Sequence, residues 1–236
     1  MEIMKLIEEI QNTHGRNIAR AAFELSAIKL QTKNPFQWAS GYRMPIYNDN
    51  RQFLRSPAAR TLIAQAFKEL ILGLGLFPSR IAGTATAGIP HATTLADMMD
   101  LPLLYVRGAQ KKYGMQNAVE GLESGSVPDG EEILLIEDLI STGGSSIRAV
   151  EVLTQTGFQV PWCFSIFSYG LSAADAAFSS LKPECRYVSL LSYDIMIEEA
   201  LASGYIQGKD ADDLKMWRES PMTWGEKRGF PRVSQN

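Results

Sequence analysis

Four short apolar runs, at residues 80–83, 103–106, 133–136 and 162–167, are spaced along the chain, with helical apolar patterns at residues 89–99 and 145–156 between some of them. Runs this short have the length of strands covered on both faces rather than of buried helices. Strands that alternate with helices return to one sheet as parallel neighbours, with helices packed on both of its faces. The expectation is therefore an α/β fold with a central parallel sheet flanked by helices.

The flanking segments complete the outline. Apolar residues recur at helical spacing from Ile3 to Leu30 and are interrupted near Gly15, so two helices are expected there. Residues 36–47 contain Ser40-Gly41 between strand-favouring residues and predict a hairpin, a small N-terminal hood followed by the polar loop 48–51. Ser56 and Pro57 predict an N-cap and first helical residue for a helix reaching about residue 72. Further helices are expected at residues 173–181, 193–203 and 210–219. With no repeat or separating linker, residues 1–220 read as one domain, with 1–50 as helices and hood and 51–220 as core and C-terminal helices. Residues 221–236 read as a polar, partly disordered tail.

Composition narrows the function. The 23 Lys and Arg are scattered among 26 Asp and Glu for a net charge of −3, which argues against a basic face for nucleic acid and leaves anions to be bound locally. Cys163 and Cys185 are far apart in apolar surroundings and read as buried thiols, and His14 and His91 are too few and too separated for a zinc site. No run approaches the roughly 18 apolar residues of a membrane span, so no membrane association and a cytoplasmic location are expected.

Residues 133–146 carry the strongest chemical signal. An apolar strand runs into two adjacent acids, Glu137 and Asp138, then through Leu139 and Ile140 into the small-residue loop Ser141-Thr-Gly-Gly-Ser145 and a helix. Ligands of parallel sheets bind beyond the carboxyl ends of strands, where both acids are expected to lie, outside the core. Free backbone amides, small hydroxyls and the positive end of a helix make a phosphate cradle, and carboxylates beside it suit the hydroxyls of a phosphorylated ribose. A second loop, Thr84-Ala-Thr-Ala-Gly88, also links a strand to a helix and lets backbone amides approach an anion. In a third, Arg107, Lys111, Lys112 and Tyr113 lie among glycines 108, 114 and 121, so its cations can close over a departing anion. Neither a Gly-x-x-x-x-Gly-Lys-Ser/Thr loop nor a dinucleotide fingerprint is present.

The strand, acid pair, Thr-Gly-Gly loop and helix resemble the motif with which type I phosphoribosyltransferases bind phosphoribosyl pyrophosphate (PRPP). Together with Phe36–Gly41, Pro45–Arg51, loop 82–90, loop 107–114 and the 165–169 strand, it resembles the orotate phosphoribosyltransferases of many Gram-positive bacteria, from about Phe23 to Arg218. The resemblance implies a type I phosphoribosyltransferase fold and transfer of ribose 5-phosphate from PRPP to orotate, giving orotidine 5′-monophosphate and pyrophosphate in pyrimidine biosynthesis.

Carried over by position, it implies catalytic roles for Lys111, Arg107, Glu137 and Asp138. PRPP would meet these residues, Lys112, Tyr113, Thr84, Ala85, Thr86, Ala87, Gly88, and the run Leu139, Ile140, Ser141, Thr142, Gly143, Gly144 and Ser145. Orotate would meet Ser141 and the backbone around Ile46 and Tyr47. It further implies Mg²⁺ held through PRPP rather than by protein ligands, and a homodimer whose 107–121 loop closes over the partner's site. Several positions depart from the family: Tyr113 stands at the usual histidine, Gly108, Ala39 and Ala87 replace basic residues, and Ser168 or Tyr169 takes the place of an arginine. The alternatives are a phosphoribosyltransferase for another base, or a PRPP-sensing regulator that binds nucleic acid.

Overall fold

The computed structural model describes residues 2–108, 118–123 and 129–233. Its centre is a six-stranded sheet in the order β10-β9-β8-β5-β6-β7. The strands are β5 (Arg80–Thr84), β6 (Leu103–Val106), β7 (Val119–Glu120), β8 (Glu132–Ile140), β9 (Gln159–Ser168) and β10 (Arg186–Leu191). All neighbours are parallel except β7, which pairs antiparallel with β6 at the edge. The parallel sheet was legible in the apolar runs; β7 and β10 are additions to the four expected strands.

Side chains alternate across this sheet and divide the core in two. Leu134 and Ile136 of β8 pack with Phe67 of α3 (Pro57–Gly73) and Leu95 of α4 (Gly88–Met99) on one face. Ile133 and Leu135 pack with Val150 and Leu153 of α5 (Gly144–Thr156) and Phe178 of α6 (Ser172–Ser179) on the other. The chain leaves β5 towards β6 and returns through β8 on the opposite side. Loops after β5 and β8 therefore diverge and open a crevice at their C-terminal ends. As the sequence indicates, Ser56 caps α3, its hydroxyl oxygen accepting the Ala59 N–H at 3.2 Å, with Pro57 in the first turn.

The N-terminal region differs in detail from its periodicity. The chain is helical through α1 (Glu2–Ile10), a π-turn (Gln11–Gly15) and α2 (Arg16–Glu24), so the irregularity near Gly15 is a widened turn rather than a break. Residues 28–30, expected in the second helix, form β1 (Ile28–Leu30), because they pair antiparallel with β4 (Ile46–Asn48). The expected hairpin is β2 (Phe36–Gln37) and β3 (Arg43–Met44). Trp38 fastens this hood to the body: its indole N–H donates to the Ile46 carbonyl at 2.9 Å, and its ring lies 5.6 Å from Tyr169 and 6.1 Å from Trp217.

The C-terminal segment is more structured than its polar sequence suggests. After α7 (Tyr193–Ala202) and α8 (Gly208–Glu219), residues 221–227 form α9 (Pro221–Lys227), where a tail was expected. Trp224 is buried and donates its indole N–H to the Asp213 carbonyl at 3.1 Å, while Arg228 pairs with the Asp213 carboxylate. The chain then runs back to the hood, where the Val233 N–H donates to the Gly41 carbonyl at 3.0 Å. These contacts lie far apart in sequence, which is why local composition does not disclose them. Among the described residues no helix is long and apolar enough to cross a membrane.

Candidate active site

The crevice at the ends of β5 and β8 is a cleft of about 610 Å³. One wall is the hood edge, with Asn48, Asp49 and Arg51; the opposite wall is Ala85, Thr86 and Ala87; the floor is Glu137, Asp138 and Leu139, followed by Ser141 to Ser145. A second cleft of about 540 Å³ adjoins it through Ala85, Ser145 and Arg148, and is bordered by Arg107 and Gly108.

Strand β8 continues through both acids to Ile140, so they do not emerge beyond its end as the sequence reading has it. Their environments differ accordingly. The alternation that turns Leu135 towards α5 also turns Glu137 there. Glu137 is buried and accepts four hydrogen bonds: from the Thr84 hydroxyl at 2.6 Å, the Asp138 amide at 3.0 Å, and the Ser145 and Ser146 hydroxyls at 3.0 and 3.1 Å. It lies in the core beneath both loops, which corrects its expected place outside the core.

Asp138 faces the cleft. Burial and then the neighbouring Glu137 charge push its carboxyl up to about 8, because both penalise a second buried negative charge. Its backbone carbonyl accepts the Asn50 side-chain N–H at 2.6 Å, and Asn50 in turn accepts from Asn48 at 3.0 Å. This chain of amides sets the hood edge against the acid.

The two loops fold as their small residues allow. A Cβ at Gly88 would lie 2.5 Å from the Thr84 hydroxyl and 2.6 Å from the Ile136 carbonyl, so only glycine lets α4 start this close to β8. Gly143 takes a φ of +83° as the N-cap of α5 and offers no side-chain cap. The first turn of α5 also carries no acidic residue, leaving its amides and positive dipole end directed at the cleft.

The structure thus gathers Ala85, Thr86, Ala87, Glu137, Asp138, Leu139, Ser141, Thr142, Gly143, Gly144 and Ser145 around one cleft. Thr84 is buried beneath it, Gly88 begins α4, and Ile140 is fully buried in the sheet. Ile46 is also fully buried, its carbonyl taken by Trp38, while Tyr47 is half-exposed beside Phe36. Arg107 borders the second cleft and is paired with Glu120 of β7. Lys111, Lys112 and Tyr113 lie outside the described residues. Arg51, Asp49, Asn50 and Arg148 were not singled out as ligands from the sequence, since polar residues on a loop and an arginine on a helix look like ordinary solvated surface. Of Ser168 and Tyr169, the two alternatives for the place of the family's arginine, Tyr169 belongs to the aromatic cluster and Ser168 accepts the Gly170 N–H at 3.1 Å. Among the described residues no group of three or more His, Cys, Asp or Glu side chains gathers as a metal site.

A small-residue loop and a helix N-terminus beside a cleft-facing acid, at the switch point of a parallel sheet, form the kind of site that phosphoribosyltransferases use. Consistent with this, the family model of the phosphoribosyl transferase domain matches residues 49–167. Orotate phosphoribosyltransferase of Listeria monocytogenes is 41% identical over 211 residues, covering 89% of this chain and 98% of the relative. That of Porphyromonas gingivalis is 41% identical over 213 residues, covering 90% and 99%. The crystal structure of orotate phosphoribosyltransferase from Aeropyrum pernix superposes with a TM-score of 0.64 at 26% identity, covering 80% of this chain and 99% of that one. The chain belongs to the orotate phosphoribosyltransferase family.

Proposed function

We propose that the chain transfers ribose 5-phosphate from PRPP to orotate, forming orotidine 5′-monophosphate and pyrophosphate in pyrimidine biosynthesis. The observation that carries this reading is the meeting of loops 84–88 and 141–145 with Asp138 in one cleft, in a chain of this family. The loop 141–145 amides and the α5 dipole hold the 5-phosphate, and the loop 84–88 amides face pyrophosphate. Asp138 orients the ribose hydroxyls. As the bond from ribose C1 to pyrophosphate breaks and the bond to a ring nitrogen of orotate forms, positive charge grows on the sugar and negative charge on the leaving group. Donors fixed in advance stabilise these charges without reorganising. Glu137 acts beneath them as a positioning residue, since its oxygens are committed to the two loops.

Orotate lies between the hood edge and Ser141, in contact with backbone near Tyr47. Arg107 exchanges Glu120 for pyrophosphate, and Lys111, Lys112 and Tyr113 join it from the loop that follows. Mg²⁺ would be held through PRPP rather than by protein carboxylates, and when bound would supply charge neutralisation at the leaving group. Asp138 fits such a substrate: its burial favours the neutral form, and a cation bound with the substrate beside it would favour the carboxylate. The working unit is a homodimer whose loops are shared, and its location is cytoplasmic, which fractionation tests. Pyrophosphate release is the functional test: it should require both PRPP and orotate and stop when adenine or uracil replaces orotate. Release with another base alone would assign a different acceptor.

A further inference from the structure

Three arginines line the two adjoining clefts: Arg51, Arg107 and Arg148. Arg51 is held by Asp49, its Nε donating at 2.6 Å, and Arg107 is paired with Glu120. Arg148 has no carboxylate partner among the described residues, although it is exposed and lines both clefts.

Its position is electrostatically unusual. Arg148 belongs to the second turn of α5, yet its side chain folds back over the first, with Nη1 3.6 Å from where a Cβ at Gly144 would stand. A cation is disfavoured at the positive end of a helix. The α5 first turn carries no acid, and its cap residue, Gly143, contributes no side chain. Glu137 faces this turn from the sheet side, but it is buried and its oxygens accept from Thr84, Asp138, Ser145 and Ser146. On the open side, a guanidinium and a helix N-terminus therefore face the same space; of the acids that line the clefts, Asp49 is held by Arg51, burial favours the neutral form of Asp138, and Glu151 makes no ion pair with Arg148. A phosphate group satisfies both at once, because the flat guanidinium fork and the exposed amides are donors that match its oxygens.

We propose that Arg148 is a PRPP-binding residue that engages the substrate's phosphate groups where the two clefts meet. The proposal rests on the activity given above. It makes Arg148 a binding contributor from outside the acid pair and both small-residue loops.

The test compares wild type with Arg148→Gln and Arg148→Lys in steady-state assays with orotate and PRPP. Losing one charge-assisted contact should raise KM for PRPP roughly 10- to 100-fold in Arg148→Gln, with KM for orotate unchanged and Tm not lowered. Arg148→Lys should recover part of the loss. Inhibition against PRPP by pyrophosphate and by ribose 5-phosphate then locates the contact: a weakened inhibition constant for either one supports it and identifies the phosphate engaged. If wild type consumes orotate and Arg148→Gln keeps its KM for PRPP within about twofold, the assignment of Arg148 is overturned while the activity stands. A wild-type chain that shows no PRPP-dependent orotate consumption overturns the activity itself.

Discussion

The Thr84 hydroxyl donates to the Glu137 carboxylate at 2.6 Å, tying the end of β5 to the neighbouring strand beneath the cleft. The same carboxylate receives Ser145 and Ser146, so one side chain fixes the loops proposed for both ends of PRPP. Glu137→Gln replaces an acceptor oxygen with an N–H₂ that faces other donors. It should cost roughly 1–3 kcal/mol of stability and lower kcat/KM for PRPP, whereas Asp138→Asn should lower turnover with little loss of stability at pH 7. Urea unfolding of both variants checks the contrast; equal stability in the two would remove the pinning role of Glu137.

Asp138 also gives the ligand-free protein a pH signature. Its folded-state carboxyl sits at about 8, above the ordinary carboxylate range, so the folded state keeps a proton that the unfolded state has lost. The stability it contributes is fully present below about pH 4 and is lost as pH rises through about 8. Asp138→Asn should therefore gain Tm relative to wild type as pH rises across that window. A difference in Tm that stays constant with pH would contradict the raised value.

Much of this was readable from residues. The apolar runs pointed to the parallel sheet, Ser56-Pro57 to the start of α3, and Glu137 to Ser145 to residues that line one cleft. The division of labour between the acids was not readable, because adjacent carboxylates look alike until β8 is seen to continue to Ile140 and turn them to different environments. Strand β1 was hidden because its partner β4 lies across the hood, so tertiary pairing overrides local helical periodicity. Arg148 was hidden because an arginine on a helix carries no local mark of the cleft it borders.

The C-terminal strap supplies a third prediction. Trp224 is buried between the Asp213 carbonyl and the Arg228 side chain, whose guanidinium lies 5.3 Å from its ring centre. Trp224→Ala should destabilise the fold by about 3–5 kcal/mol, through lost burial and the cavity left behind. A change in the denaturation midpoint equivalent to less than about 1 kcal/mol would mean the strap is dispensable.

The proposed loop exchange between subunits is tested by mixing Lys111→Ala with Asp138→Asn under conditions that exchange subunits. In a hybrid dimer with loops acting in trans, one site has an intact cleft and an intact loop, while the other carries both lesions. Random mixing makes about half of the dimers hybrid, so roughly a quarter of all sites should regain activity. Verified hybrids no more active than the two parents would exclude a shared site.

The most direct measurement follows the absorbance of orotate after PRPP and Mg²⁺ are added to the purified chain. Orotate absorbance should fall only when all three are present, and Asp138→Asn should slow the fall sharply. Absorbance that stays constant with folded wild-type protein, PRPP and Mg²⁺ would contradict orotate phosphoribosyl transfer by this chain.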